Sequence, residues 1–253
     1  MSSLLVCCVL STLVLLQPTM ATSWGFLVAG SNTWENYRHQ ADVAHAYHVL
    51  TTRGVSPSNI VTFMYDDLAQ NTDNPVPGAI YNVATGKKPG TNLYKNLKID
   101  YNLGNVTAAN IISAMTCDGK LSGPCLNSTA DDNVFMYWAG HGGDQVGLML
   151  PEGGSQAALS SAELMSALEL LHKNNRYKSL VFFLEACDGG SMFAKVDARL
   201  KTINALAVTA AAPGEPSYPI YCCNFFRAPS CTVGGKARTR SPHLTLPRTG
   251  AHC

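Results

Sequence analysis

The sequence predicts an α/β protein with three layers: a mostly parallel sheet carrying helices on both faces. Two observations carry that expectation. Short apolar runs alternate with stretches whose apolar residues recur at helical spacing, and parallel strands need such helical crossovers. Two of the runs also end alike, Val134–Trp138 leading into Ala-Gly-His141-Gly-Gly and Leu180–Leu184 into Glu-Ala-Cys187-Asp-Gly-Gly-Ser. Parallel strands deliver that imidazole and that thiol to one edge of the sheet, the edge where open α/β sheets place their chemistry. With 253 residues, 46% of them hydrophobic and 14% charged, the chain is long and apolar enough for one sizeable core.

The elements follow in order. Trp24–Gly30 is an apolar run and forms the first strand. Gln40–Arg53 places Val43, Ala46, Tyr47 and Leu50 at helical spacing and stops at Gly54, which predicts an amphipathic helix. Asn59–Tyr65 is the second strand and completes a first βαβ unit. From Asp66 to about Gly104 the chain is rich in Asn, Pro, Gly and Tyr, with turns at Asp73–Gly78 and Lys87–Gly90, and is read as an ordered loop. Gly86-Lys87 is not a phosphate loop, because Tyr81 stands where that pattern needs its first glycine. Thr107–Met115 is a capped helix carrying Ile111, Ile112 and Met115, and Asn133–Trp138 is the strand leading to His141. Ser160 with Glu163 forms a capping box that opens a helix buried through Leu164, Ala167, Leu168 and Leu171. Leu180–Leu184 leads to Cys187, and Ile203–Thr209 is a further strand. Past Tyr218 the composition changes: residues 219–253 contain no acid, four cysteines and no persistent period, and are expected to be an atypical, disordered tail.

Composition excludes some functions. A net charge of +1 argues against nucleic acid as partner. Leu4–Leu16, followed by small residues near Ala21, is expected to be a signal peptide covering residues 1–21, and no later stretch reads as a transmembrane helix. Secretory entry agrees with the glycosylation acceptors Asn105-Val-Thr and Asn127-Ser-Thr, and with Cys117 and Cys125, which are placed to close a small disulfide loop in an oxidising compartment. No CxxC or HExxH pattern occurs, so no metal and no cofactor is expected.

A thiol beside an imidazole yields a thiolate and an imidazolium, and the glycines that follow leave room for a substrate carbonyl. Acyl transfer is the implied reaction. The two motifs, together with Gly30-Ser-Asn-Thr-Trp-Glu-Asn-Tyr-Arg-His-Gln-Ala-Asp42, Met64-Tyr-Asp-Asp67, Asp73-Asn-Pro-Val-Pro-Gly78, Thr209-Ala-Ala-Ala-Pro213 and Glu215-Pro-Ser-Tyr218, resemble the legumain (asparaginyl endopeptidase, vacuolar processing enzyme) family of caspase-like cysteine peptidases. The likeness runs from about Trp24 to Tyr218, and a legumain-like peptidase domain is expected over 22–218. It implies a caspase-like fold, incomplete at its C-terminal end. It implies Cys187 as nucleophile, His141 as general base and acid, Asn36 as the group that orients the imidazole, and Gly142 with Cys187 as the backbone donors of an oxyanion hole. It implies cleavage after asparagine, less readily aspartate, in a zwitterionic pocket to which Arg38, His39, Glu185 and Ser217 contribute. Peptide substrates, cystatin-like inhibitors and a lysosomal, vacuolar or secreted location are implied in the same way.

The chain departs from the family pattern in places. Gly140 stands where legumains commonly carry Asp, no Leu-Gly-Asp-Trp-like stretch follows Tyr218, and the C-terminal inhibitory prodomain of the family's precursors is not expected within 253 residues. Two alternatives remain: the catalytic subunit of a glycosylphosphatidylinositol transamidase, which shares Gly-His-Gly-Gly, and an inactive homologue that binds peptides.

Overall fold

Successive side chains of the first strand point to opposite faces, and both faces are apolar, so the strand belongs inside a sheet covered on each side. The structure, a computed structural model, describes residues 21–82, 90–151, 158–194 and 196–218. The expected signal segment, the turn at Lys87 and the tail from 219 lie outside these residues, apart from Ala21. The chain runs through β1 (Ser23–Ala29), α1 (Tyr37–Thr52), β2 (Ile60–Phe63), α2 (Ala108–Thr116), β3 (Asn133–Ala139), β4 (Gly142–Gly143), β5 (Gly147–Met149), β6 (Ala158–Leu159), α3 (Ser161–Lys173), β7 (Ser179–Glu185), α4 (Asp197–Thr202) and β8 (Ala205–Thr209).

Five of these strands form one sheet in the order β2-β1-β3-β7-β8, every pair parallel. The expected α/β architecture is thus observed. Phe26 and Val28 face a core shared with Ile111, Met115, Leu164, Leu168 and Leu171 of α2 and α3. Leu27 and Ala29 face the other way, onto Val43, Ala44 and Tyr47 of α1. The chain moves outward from β1 to β2, then returns to build β3, β7 and β8 on the other side of β1. The strand order therefore reverses between β1 and β3, which opens a crevice at their C-terminal ends.

The caps behave as local chemistry demands. Ser160 accepts from the Glu163 backbone N–H while the Glu163 carboxylate accepts from the Ser160 N–H at 2.9 Å, a complete capping box. The Thr107 hydroxyl accepts from the Asn110 N–H and starts α2. Cys117, in the left-handed region just after α2, is disulfide-bonded to Cys125.

The loop after β2 is ordered, as its turn residues predict. The Asn74 side chain donates to the carbonyls of Leu68 and Ala79, each at 3.0 Å, and Leu68, Ala69 and Ile80 pack on Tyr37 and Ala41 of α1. That packing carries Asn82 to the buried side of the helix. Asn105 and Asn127, the two glycosylation acceptors, are exposed. Among the described residues no helix is long and apolar enough to cross a membrane.

Candidate active site

Strands β3 and β7 are neighbours in exact register, Ala139 opposite Glu185, and the ladder continues one step further as the Gly140 N–H donates to the Glu185 carbonyl at 3.0 Å. His141 and Cys187, each two residues beyond its strand, therefore leave the same edge of the sheet side by side. The chain after His141 folds back as a small antiparallel sheet, β4-β5-β6, which pairs Gly142 with Leu148 and Leu148 with Leu159. Met149 donates its N–H to the His141 carbonyl at 2.9 Å and so fixes the backbone that carries the imidazole. Gly142 has to be glycine: a Cβ there would sit 2.5 Å from the Cys187 carbonyl oxygen and 3.0 Å from the Ala186 methyl. The backbones of the two motifs are in contact.

Asn36 reaches the same place from the end of β1. It occupies the N-cap of α1, where an asparagine side chain ordinarily accepts a backbone N–H, yet it makes no such bond. Its amide donates to the Asn32 carbonyl at 2.9 Å and its carbonyl oxygen lies 2.6 Å from His141 Nε2. Because the amide group is already the donor, Asn36 Oδ1 is an acceptor, so the imidazole proton resides on Nε2 and Nδ1 keeps its lone pair. The arrangement spans the crevice where the strand order reverses. Burial, and then the positive charge of Arg38, hold the His141 pKa below the ordinary histidine range, which keeps the ring neutral and able to accept a proton.

The other expected residues surround this pair. His39 is buried edge-to-face against His141, ring centres 4.8 Å apart, and its Nδ1 lies 2.6 Å from the Ser31 hydroxyl. Burial, and then the charge of Arg38, push its pKa well down. Arg38, in the same helical turn, donates to the Glu35 carbonyl at 3.2 Å and lies near Asp42 and Cys187. Glu185 accepts the Tyr137 hydroxyl at 2.5 Å. Ser217 donates its N–H to the Cys187 sulfur at 3.3 Å. The turn around Cys187 is tied to the same segment: the Asp188 N–H donates to the Glu215 carbonyl at 2.8 Å and its carboxylate accepts the Gly214 N–H at 2.7 Å. All eight sequence-predicted site residues thus gather at the C-terminal edge of β1, β3 and β7. Among the described residues no cluster of three His, Cys, Asp or Glu is arranged to hold a metal.

Sequence reasoning missed several supporting residues. Ser31 and Asn32 position His39 and Asn36. Asp67 accepts from the Thr33 N–H at 2.7 Å and from the Gln40 amide at 2.6 Å, pinning the turn that carries Asn36. Asp42 is buried behind Arg38, its carboxyl accepting from Asn82 at 2.5 Å. Its signal in the sequence is spacing: Arg38 and Asp42 are four apart on one helical face. Gly140 also acquires a physical reason. A Cβ there would lie 2.9 Å from Trp138 Nε1 and 3.2 Å from the Gly30 Cα, so the buried indole of Trp138 excludes a side chain at this position.

Comparison with known proteins agrees with this geometry. The model of the Peptidase C13 family matches residues 23–239, continuing beyond Tyr218. The chain is 44% identical over 200 residues to a hemoglobinase of Schistosoma japonicum, covering 79% of this chain and 44% of that protein. It is 38% identical over 221 residues to the vacuolar-processing enzyme delta-isozyme of Arabidopsis thaliana, covering 84% and 44%. With human legumain it shares 37% over 203 residues, covering 78% and 44%. The chain spans less than half the length of these curated relatives. With the family match covering most of its length and carrying both reactive motifs, the chain belongs to the Peptidase C13 family.

Proposed function

We propose that this chain is a cysteine endopeptidase that cleaves the peptide bond after asparagine, and less readily after aspartate. The observation that carries the reading is the bond between Asn36 and His141 at a sheet edge where Gly142 is packed against the Cys187 peptide. In this reading His141 Nδ1 takes the thiol proton and the Cys187 sulfur attacks the scissile carbonyl carbon. The carbonyl oxygen gains charge and is held by the backbone N–H groups of Gly142 and Cys187. The C–N bond then breaks as the leaving amine takes the proton back from His141, leaving a thioester. Water, deprotonated by the same imidazole, attacks the thioester and restores the thiol.

A neutral amide side chain presents one acceptor and two donors. Arg38 supplies a donor and Glu185 an acceptor on one side of Cys187, with His39 and Ser217 completing the walls. Protein or peptide substrates with asparagine at the cleavage site, and cystatin-like inhibitors, fit this chemistry. Action within the secretory pathway, in a lysosome, a vacuole or outside the cell, is supported by the disulfide between Cys117 and Cys125 and by the exposed Asn105 and Asn127.

The test is release of a fluorophore from an Ala-Ala-Asn reporter, with Ala-Ala-Asp and Ala-Ala-Ala reporters beside it. The full chain turns over the Asn reporter fastest, and Cys187→Ala abolishes turnover while leaving the circular dichroism spectrum intact. Equal turnover by both proteins, or no preference among the reporters, overturns the reading.

A further inference from the structure

Behind Arg38 the buried carboxyl of Asp42 meets that of the half-buried Glu185. Asp42, from α1, and Glu185, from the end of β7, lie within hydrogen-bonding reach of each other. Two carboxylates make no hydrogen bond without a proton between them, so the contact itself calls for one protonated member. The surroundings agree. Asn82 donates to Asp42 at 2.5 Å and Tyr137 to Glu185 at 2.5 Å, and neither donor brings a charge. Among the described residues, α1 contributes Arg38 as the facing cation, β3 the Tyr137 phenol and the loop after β2 the Asn82 amide. One guanidinium against two ionised carboxylates leaves this group of three, in which Asp42 is buried and Arg38 and Glu185 are half-buried, with an uncompensated negative charge. A single retained proton brings it to neutrality, the outcome that low-dielectric surroundings favour. Burial, and after it the charge of Glu185, push the Asp42 pKa well up, against the smaller pull of Asn82 and Arg38.

We propose that Asp42 and Glu185 share one proton beneath Arg38, and that Asp42 is thereby a positioning residue that sets how Glu185 and Arg38 grip the side chain preceding the scissile bond. The proposal rests on the reading of those two residues as opposite walls of the asparagine pocket. With the proton in place Asp42 donates to Glu185 and holds its remaining acceptor capacity, and that of Arg38, toward the substrate. Loss of the proton sets two anions against each other, draws Arg38 toward them and loosens the pocket. Substrate binding then depends on pH although the asparagine substrate itself does not titrate.

Asp42→Asn tests this directly, because its amide donates to Glu185 as the protonated carboxyl does and has no proton to lose. Infrared difference spectra of the full chain at about pH 6, where ordinary carboxyls are ionised, show a protonated-carboxyl band that D42N lacks. If D42N does not fold, Glu185→Gln, which also removes one carboxyl of the pair, takes its place and loses the same band. With the Ala-Ala-Asn reporter, the wild-type KM rises with pH by up to about tenfold per unit once the pair ionises, the slope of a single proton. This component of the rise is lost in D42N, while the pH profile of kcat stays that of the wild type. Absence of the band, or superimposable KM profiles, overturns the proposal. A wild-type chain that hydrolyses no Asn reporter overturns instead the asparagine reading, and with it the positioning role; the infrared band then decides the shared proton by itself.

Discussion

At the scale of single residues, Asn36 shows stability yielding to chemistry. An asparagine at an N-cap ordinarily gains about 1 kcal/mol by accepting a backbone N–H, but this one turns its carbonyl to His141 and fixes the tautomer that leaves Nδ1 basic. Asn36→Ala is expected to lower kcat/KM for the Asn reporter by roughly 3- to 10-fold, the worth of about one hydrogen bond. The loss falls on kcat rather than KM, because the bond orients the imidazole and touches no substrate. Thermal stability changes little, since no helix cap is removed. Steady-state kinetics beside a melting curve check both statements.

At the scale of elements, local signals were legible and contacts between distant segments were not. Ser160 and Glu163 are three residues apart, and the capping box read from that spacing is the one observed at the start of α3. Removing it with Ser160→Ala is expected to cost about 1 kcal/mol, measured by urea denaturation, without altering the KM of a site that lies elsewhere. The strands ending at Trp138 and Leu184 were legible from their apolar runs, and both motifs lie where those runs deliver them. The apolar spacing predicts a start of α1 at Gln40, and the helix begins at Tyr37, because Asn36 offers its side chain to His141 and the first turn carries Arg38 and His39 instead of acids. The small sheet β4-β5-β6 left no period to read, being built from strands of two or three residues that are defined by their partners. Asp42, Asn82 and Tyr137 likewise acquire their meaning from segments that meet only in the folded chain.

At the scale of the whole molecule, His39 and Asp42 make stability respond to pH in opposite senses. The lowered pKa of His39 contributes stability that is present above its ordinary value of about 6.5 and is lost as pH falls toward the folded value. The raised pKa of Asp42 contributes stability that is full below about 3.9 and is lost as pH rises toward the folded value. Where the windows overlap, the two slopes cancel. Relative to wild type, His39→Gln is expected to make stability fall more steeply with rising pH, and Asp42→Asn to make it rise, each by up to about 1.4 kcal/mol per pH unit. Chemical denaturation at several pH values across the weakly acidic range reads both slopes.

The bond from Asn36 to His141 joins residues 105 apart in the chain, and the sulfur stands further along still. The first strand emerges from the ribosome long before the thiol is synthesised. No nascent fragment that stops short of Cys187 brings the imidazole and the thiol together, so their meeting reports that both halves of the sheet have been knitted into one.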